Sequence, residues 1–503
     1  MWIAKAQAPR RIQGDMDVVK GARDTAFRFC VGSERAGVLL RPENMQQLAE
    51  VHRTLGFEYI RFHGIFHDDM DVYHEIDGQP VYDFSRVDRL YDQILALGMK
   101  PFVELSFMPQ DLASGNQKIF FWNANVTPPK DIHKWSALVE AFVEHLKARY
   151  GHDRVKSWYF EVWNEPNYPG FWPNADQAAY FKLYDATVAA IKKVSVDYRV
   201  GGPATAGAGW VPEFIAHTAQ SGAPVDFIST HTYAVSQGFL DADGNADLVL
   251  SQSADAIVGD VKNVRAQIDA SVRPKLPLHI TEWSASYSSR DPVHDSYTSA
   301  AFILQKLKQV EGHADSMSYW TYTDLFEENG PPPAAFHGGF GLLTRDDIPK
   351  PAFYAYKYLN QLGAVELKDS DKDSWLTRNG SDAEALLWNY TMLRQEEGDK
   401  AFFRKLHPSL AAAPVVLQLD HLTPGRYQLA IYRTGFQSND AYSAYIKMGL
   451  PKDLSPEEIR VLKNKAADVP ESTTEVRVGA DSRFVTTVKM QENDIVFISL
   501  KKR

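Results

Sequence analysis

Cysteine is almost missing from this chain. The one present, Cys30, excludes an intramolecular disulfide and any cysteine-based zinc site. Set in the apolar run Phe27 to Val31, it reads as a buried core thiol. Long apolar runs are missing as well. No stretch reaches the roughly 20 residues a membrane span needs, and residues 1–25 alternate charged and small apolar groups with no leader-like hydrophobic core. A cytoplasmic location is the expectation that follows. Blocks of one charge are also absent. The net charge of -10, from 64 acidic and 54 basic residues, is spread along the chain, which argues against nucleic acid or an anionic membrane as partner. No Gly-x-Gly-x-x-Gly or phosphate loop follows a candidate strand, and no tandem repeat or low-complexity tract is visible. The sequence calls for no cofactor and no metal.

What is present is a globular composition, 44% hydrophobic and 23% charged, on 503 residues, enough for a large core and a smaller companion domain. Short apolar runs alternate with segments of helical period. The runs are Arg28 to Ser33, Tyr59 to Ile65, Pro101 to Phe107, Ser157 to Glu165, Val200 to Pro203, Phe227 to Tyr233, Leu278 to Trp283 and Met317 to Thr323. Eight strand–helix units predict an α/β fold, a closed (β/α)₈ barrel over residues 15–362, with its chemistry at the carboxyl ends of the strands. Past Leu362 short alternating runs replace the helices and predict a β-sandwich over 363–503, interrupted by a helix at Ser455 to Ala467. Oligomeric state is not legible, and a homo-oligomer is compatible with the sequence.

Two strand ends stand out. Trp158-Tyr159-Phe160-Glu161-Val162-Trp163-Asn164-Glu165-Pro166-Asn167 is an aromatic-rich strand that Pro166 must end, leaving Glu165 at its tip. Leu278-His279-Ile280-Thr281-Glu282-Trp283 likewise stops at an acid beside a tryptophan. Both carboxylates would face the same barrel mouth. Glu161 shares a strand face with Glu165, and is expected inside the barrel, paired with a cation.

With these motifs the chain resembles the family 39 glycoside hydrolases of the large retaining (β/α)₈ clan, whose best-known members are β-xylosidases and α-L-iduronidases. The resemblance covers nearly the whole chain and is strongest at Trp163 to Asn167 and Thr281 to Trp283. It implies Glu165 as acid/base, Glu282 as nucleophile, a strand from residues 1–14 joining the sandwich, and a β-1,4-linked xylo-oligosaccharide as substrate; long loops and abundant aromatics suit a pocket that takes its chain end. It further implies sugar contacts from His63, Asn164, His231, Tyr233, Trp320, Glu327 and Glu328. Phe121, in the aromatic patch Phe120-Phe121-Trp122, is a candidate wall of the site.

Glycoside cleavage asks for these residue types independently: one protonated carboxyl for the departing oxygen and one ionised carboxylate for the anomeric carbon. Burial and repulsion from Glu282 should both raise the pKa of Glu165. Glu327 and Glu328 disfavour a uronic acid and favour a neutral sugar. Other readings are a different retaining glycosidase of the clan (iduronidase, arabinosidase or glucosidase type), a non-catalytic carbohydrate-binding barrel, and a metal-dependent hydrolase using His67, Asp68, Asp69, Asp71, His74 and Glu75.

Overall fold

A computed structural model describes residues 8–240, 246–369 and 371–503, so part of segment 1–14 lies outside the described residues. Eight parallel strands close a barrel in chain order: Cys30–Arg35, Tyr59–His63, Lys100–Leu105, Tyr159–Val162, Arg199–Thr205, Phe227–Tyr233, Leu278–Ser284 and Ser316–Tyr319. Each falls on one of the apolar runs read from sequence. Between them run helices with ordinary end signals. Asp131 accepts from the backbone of His133 and Lys134 to start Ile132–Tyr150, Asp176 caps Gln177–Val194, and left-handed Gly56 ends Pro42–Leu55.

Two sheets form the companion sandwich, one of seven strands and one of three. Leu376, Leu417, Tyr427, Leu429 and Ile498 fill the space between them. The sandwich leans on the last barrel helix, Pro351–Gln361, where Tyr358 stacks on Phe497 with centroids 5.5 Å apart. Trp388 and Trp375 close the seam by donating to Gln305 (2.9 Å) and Glu311 (2.6 Å).

The N-terminal segment lends the sandwich the expected strand from within residues 1–14, and a second one that the sequence reading had placed in the barrel. Arg10–Asp15 pairs in parallel with Ala411–Asp420, and Val19–Ala22, placed with the barrel from sequence, pairs antiparallel with Val365–Leu367 in the seven-stranded sheet. Val-Lys-Gly-Ala carries no alternation of its own, so the partner strand alone defines it. A second helix in the sandwich, Ala441–Lys447, also went unread; Asp440 caps it, whereas Ser455 and Glu458 form a full capping box on Pro456–Lys465.

Candidate active site

The fourth barrel strand ends at Val162, and the chain then turns through two left-handed non-glycine residues, Trp163 (φ 71°) and Glu165 (φ 45°). Such backbone costs about 1–3 kcal/mol per residue and persists where the surroundings over-determine it. Here they do. Trp163 is fully buried between Trp135, Trp172 and Phe107, and its indole donates to the Phe171 carbonyl at 2.9 Å. The Glu165 amide donates to Ala204 O at 2.8 Å. Asn167 completes the staple to the next strand's loop, accepting from the Ala206 amide and donating to its carbonyl, each at 2.8 Å.

Glu282 reaches the same place through register. A bulge between Thr230 and His231 slips the sixth strand against the seventh so that His231 sits directly opposite Glu282. His231 Nδ1 then lies 2.8 Å from Glu165 Oε1 and 3.6 Å from Glu282 Oε2. An oxygen of Glu165 and one of Glu282 lie within 4.8 Å of each other. The Tyr233 hydroxyl donates to Glu282 Oε2 at 2.7 Å, and Arg61 Nη1 donates to Oε1 at 2.7 Å.

Arg61 is the hub of the barrel interior. Besides Glu282 it donates to Glu161 (2.5 Å), Glu104 (2.7 Å) and Asn164 Oδ1 (3.0 Å), with no exposed surface of its own. This is the cation expected for Glu161. Burial works against the guanidinium's charge, but Glu161, Glu104 and Glu282 hold its pKa well above the ordinary value. His63 is treated likewise: burial opposes its charge, yet Glu104, 2.8 Å from Nδ1, lifts it to about 10. Burial pushes Glu165 up to about 7, against the pull of His63 and Arg61 and with help from Glu104. The like charge that adds to the rise is therefore Glu104, where the sequence reading invoked Glu282. Burial lowers His231 to about 4, which keeps it neutral at working pH.

The model of glycosyl hydrolases family 39 matches residues 16–483. A beta-xylosidase of Geobacillus stearothermophilus is 39% identical over 486 residues, covering 95% of this chain and 92% of that protein. The crystal structure of the GH39 enzyme from Xanthomonas axonopodis pv. citri superposes with a TM-score of 0.97 at 48% identity, covering 99% of this chain and 98% of that one. A monomeric beta-xylosidase from Caulobacter crescentus gives 0.96 at 48%, covering 98% and 99%. The chain belongs to glycosyl hydrolases family 39. It is a glycoside hydrolase.

In this hydrolase the two carboxylates open into a cavity of about 550 Å³. His63, Asn164, Tyr233, Trp320 and Glu328 line it with them, as the sequence reading placed them. Trp320 lies flat against Gly32, where a Cβ would come within 2.2 Å of the indole, so glycine is required there. Burial pushes Glu328 up to about 7, with His63 (3.6 Å) pulling the other way. His231 sits beneath the surface, fully buried.

With His231, two further expected contacts fall outside the cavity lining, Phe121 and Glu327. Phe121 is 63% exposed and does not line the cavity; left-handed Phe120 (φ 64°) turns the chain so that Phe120 itself faces inward against His63. Glu327 is gripped by Arg41 (2.5 Å) and Arg35 (3.3 Å), while its amide bonds the Glu34 carboxylate. It anchors the loop that presents Glu328. Phe171 and Phe340 line the cavity and went unread, because loop residues show no period that marks which way they face.

Two clusters among the described residues bring three potential ligand atoms together, Asp15-Asp17-His421 at the surface and Glu165-His231-Glu282. In the second, His231 Nδ1 is already engaged by Glu165. The acidic cluster read as an alternative metal site is dispersed: Asp69 bonds Arg35, Glu75 bonds Lys130 and Lys134, and His74 bonds Asp71. A larger groove of about 830 Å³ lies away from the carboxylates, between helix Pro42–Leu55 and the sandwich, its Lys357 and Asp468 paired at 2.7 Å.

Proposed function

We propose that this enzyme is a retaining, exo-acting β-D-xylosidase that removes terminal β-1,4-linked xylose from xylo-oligosaccharides, as in xylan breakdown. The observation that carries the reading is the approach of Glu165 and Glu282 to within 4.8 Å, the spacing of a nucleophile and an acid/base rather than of a pair with room for an intervening water. The relatives named beta-xylosidases support the choice of sugar.

In the first step the Glu165 carboxyl gives its proton to the glycosidic oxygen, the C1–O bond breaks with its electron pair going to that oxygen, and Glu282 bonds to C1. Tyr233 and Arg61 hold the attacking carboxylate in place from two sides. In the second step water attacks C1, its proton passes to ionised Glu165, and the C1–O bond to Glu282 breaks. Asn164, oriented by Arg61, is placed to donate its amide to the sugar. Among the described residues no lysine or arginine lines the cavity, and the ionised form of Glu328 would repel a uronate, which favours a neutral sugar. The cavity is lined by buried Trp320 and Phe340 together with Tyr168 and Tyr287, which are 53% and 51% exposed. That lining suits a chain end.

The test follows an aryl β-xyloside by NMR. The first product is the β-anomer, and kcat/KM falls as pH rises through about 7, where Glu165 loses its proton. Release of the α-anomer first, or internal cutting of long xylan at a rate rivalling xylobiose, would overturn the reading.

A further inference from the structure

The mechanism above leaves two buried polar residues without a task. Glu161 and Thr281 touch no part of the cavity, yet both have no appreciable exposure and are fully hydrogen-bonded. Their geometry fixes the direction of a chain of hydrogen bonds. Glu161 receives Arg61 Nε–H on one oxygen at 2.5 Å and faces Thr281 Oγ1 at 2.8 Å with the other. A carboxylate held by a guanidinium only accepts, so the single hydroxyl proton of Thr281 must point at Glu161. What remains on Thr281 Oγ1 is a lone pair, and 3.2 Å from it stands His231 Nε2.

His231 must therefore donate from Nε2. A neutral imidazole carries one N–H, so Nδ1, 2.8 Å from Glu165 Oε1, has no proton and can only accept. We infer that Glu161 and Thr281 are positioning residues that lock His231 in its Nε2–H form, so that Nδ1 accepts a hydrogen bond from the protonated Glu165 carboxyl and favours its acid state. The inference rests on Glu165 being the acid/base. It explains how one group serves both steps. Before cleavage the Nδ1 lone pair accepts a hydrogen bond from protonated Glu165, which gives its proton to the glycosidic oxygen as the C1–O bond breaks; after it, the same lone pair faces an ionised carboxylate and favours its taking a proton back from water.

Other charges face this pair. Arg61 and His63 from the second strand and Glu104 from the third act on Glu165, with Glu282 and the Tyr233 hydroxyl beside it. Glu282, Arg61, Glu161 and Glu104 act on His231. Replacing Thr281 leaves each of them in place, and so isolates the tautomer.

In Thr281→Val, Nε2–H loses its acceptor in a dry site, the proton moves to Nδ1, and Nδ1–H then donates to Glu165 and stabilises its ionised form. The basic limb of the kcat/KM profile for phenyl β-xyloside is expected to move down by about one pH unit, while Thr281→Ser keeps the wild-type limb. A limb that stays put or moves up in Thr281→Val overturns the inference. A second measurement needs no substrate and reads the wild type directly. Wild-type protein labelled with ¹⁵N-histidine, its His231 signals identified by their loss in His231→Gln, should show the Nε2–H tautomer at neutral pH. An Nδ1–H tautomer or an imidazolium there overturns it. If the tautomer is as expected but no xyloside is turned over, the reading of the enzyme as a xylosidase fails and the lock stands.

Discussion

The two ends of the barrel interior are built from the same strands and hold opposite chemistry. At the lower end Tyr59, Phe102, Tyr159 and Phe227 close around Cys30, with Phe102 and Tyr159 stacked at 5.0 Å and Phe29 on Tyr59 at 4.6 Å. Burial among these rings takes His279 down to about 3, so it is neutral there. Two residues beyond Tyr59, Phe102, Tyr159 and His279 the side chains point the same way, one layer up, and they are Arg61, Glu104, Glu161 and Thr281, while the strands of Phe227 and Cys30 present Ser229 and Gly32. A step of about 7 Å thus separates an aromatic plug from an ionic network. The aromatic layer keeps water from the network's underside; the network supplies itself with partners, because a buried ion left alone costs several kcal/mol.

Predictions that break this comparison begin at the ionic end. Glu282→Gln should lower kcat on the order of 10⁴-fold, with Arg61 and the fold retained, as single-turnover kinetics and circular dichroism would show. At the aromatic end Phe102→Ala should cost about 3–5 kcal/mol of stability in denaturant unfolding. Its kcat, measured well below the melting temperature, should stay within about twofold; a parallel loss of kcat would mean that the two layers are not separable. Glu165→Ala should slow an activated aryl xyloside by about 10²-fold, with azide restoring turnover as the β-xylosyl azide.

The smallest effect concerns a third kind of burial at the mouth, two acids without a cation. Asp291, after the seventh strand, is buried beside Asp399, and burial followed by the neighbour's charge raises Asp291 well above its ordinary value. An acid that holds its proton longer in the folded state gives stability that is greatest below pH 3.8 and is lost as pH rises through the folded pKa. Asp291→Asn removes that loss. It should melt about 1–2 °C above the wild type at neutral pH and no higher at pH 4.

Much of this was legible in the sequence for a definite reason. The barrel strands are short apolar runs bounded by turns, and Glu165 and Glu282 each stand where such a run stops beside a tryptophan. Arg61 and Glu104 were passed over within those runs, although a charged residue mid-strand in an otherwise apolar stretch is itself a signal of an interior partner. Which member of a pair faces the cavity was not legible. Phe120 against Phe121 is decided by one left-handed φ, and Glu328 against Glu327 by two arginines distant in sequence. Val19–Ala22 becomes a strand only because Val365–Leu367 waits for it.

That last pairing, together with Arg10–Asp15 against Ala411–Asp420, makes the barrel a parenthesis within the sandwich. Arg10–Asp15 and Val19–Ala22 are synthesised before the barrel and their partners after it, so these pairings form only once the barrel sequence has been synthesised. Contacts of such long sequence separation form slowly. A cut that removed Arg10–Asp15 would strip an edge strand from the three-stranded sheet and one that removed Val19–Ala22 an edge strand from the seven-stranded sheet, so each sheet of the sandwich depends on chain from both sides of the barrel.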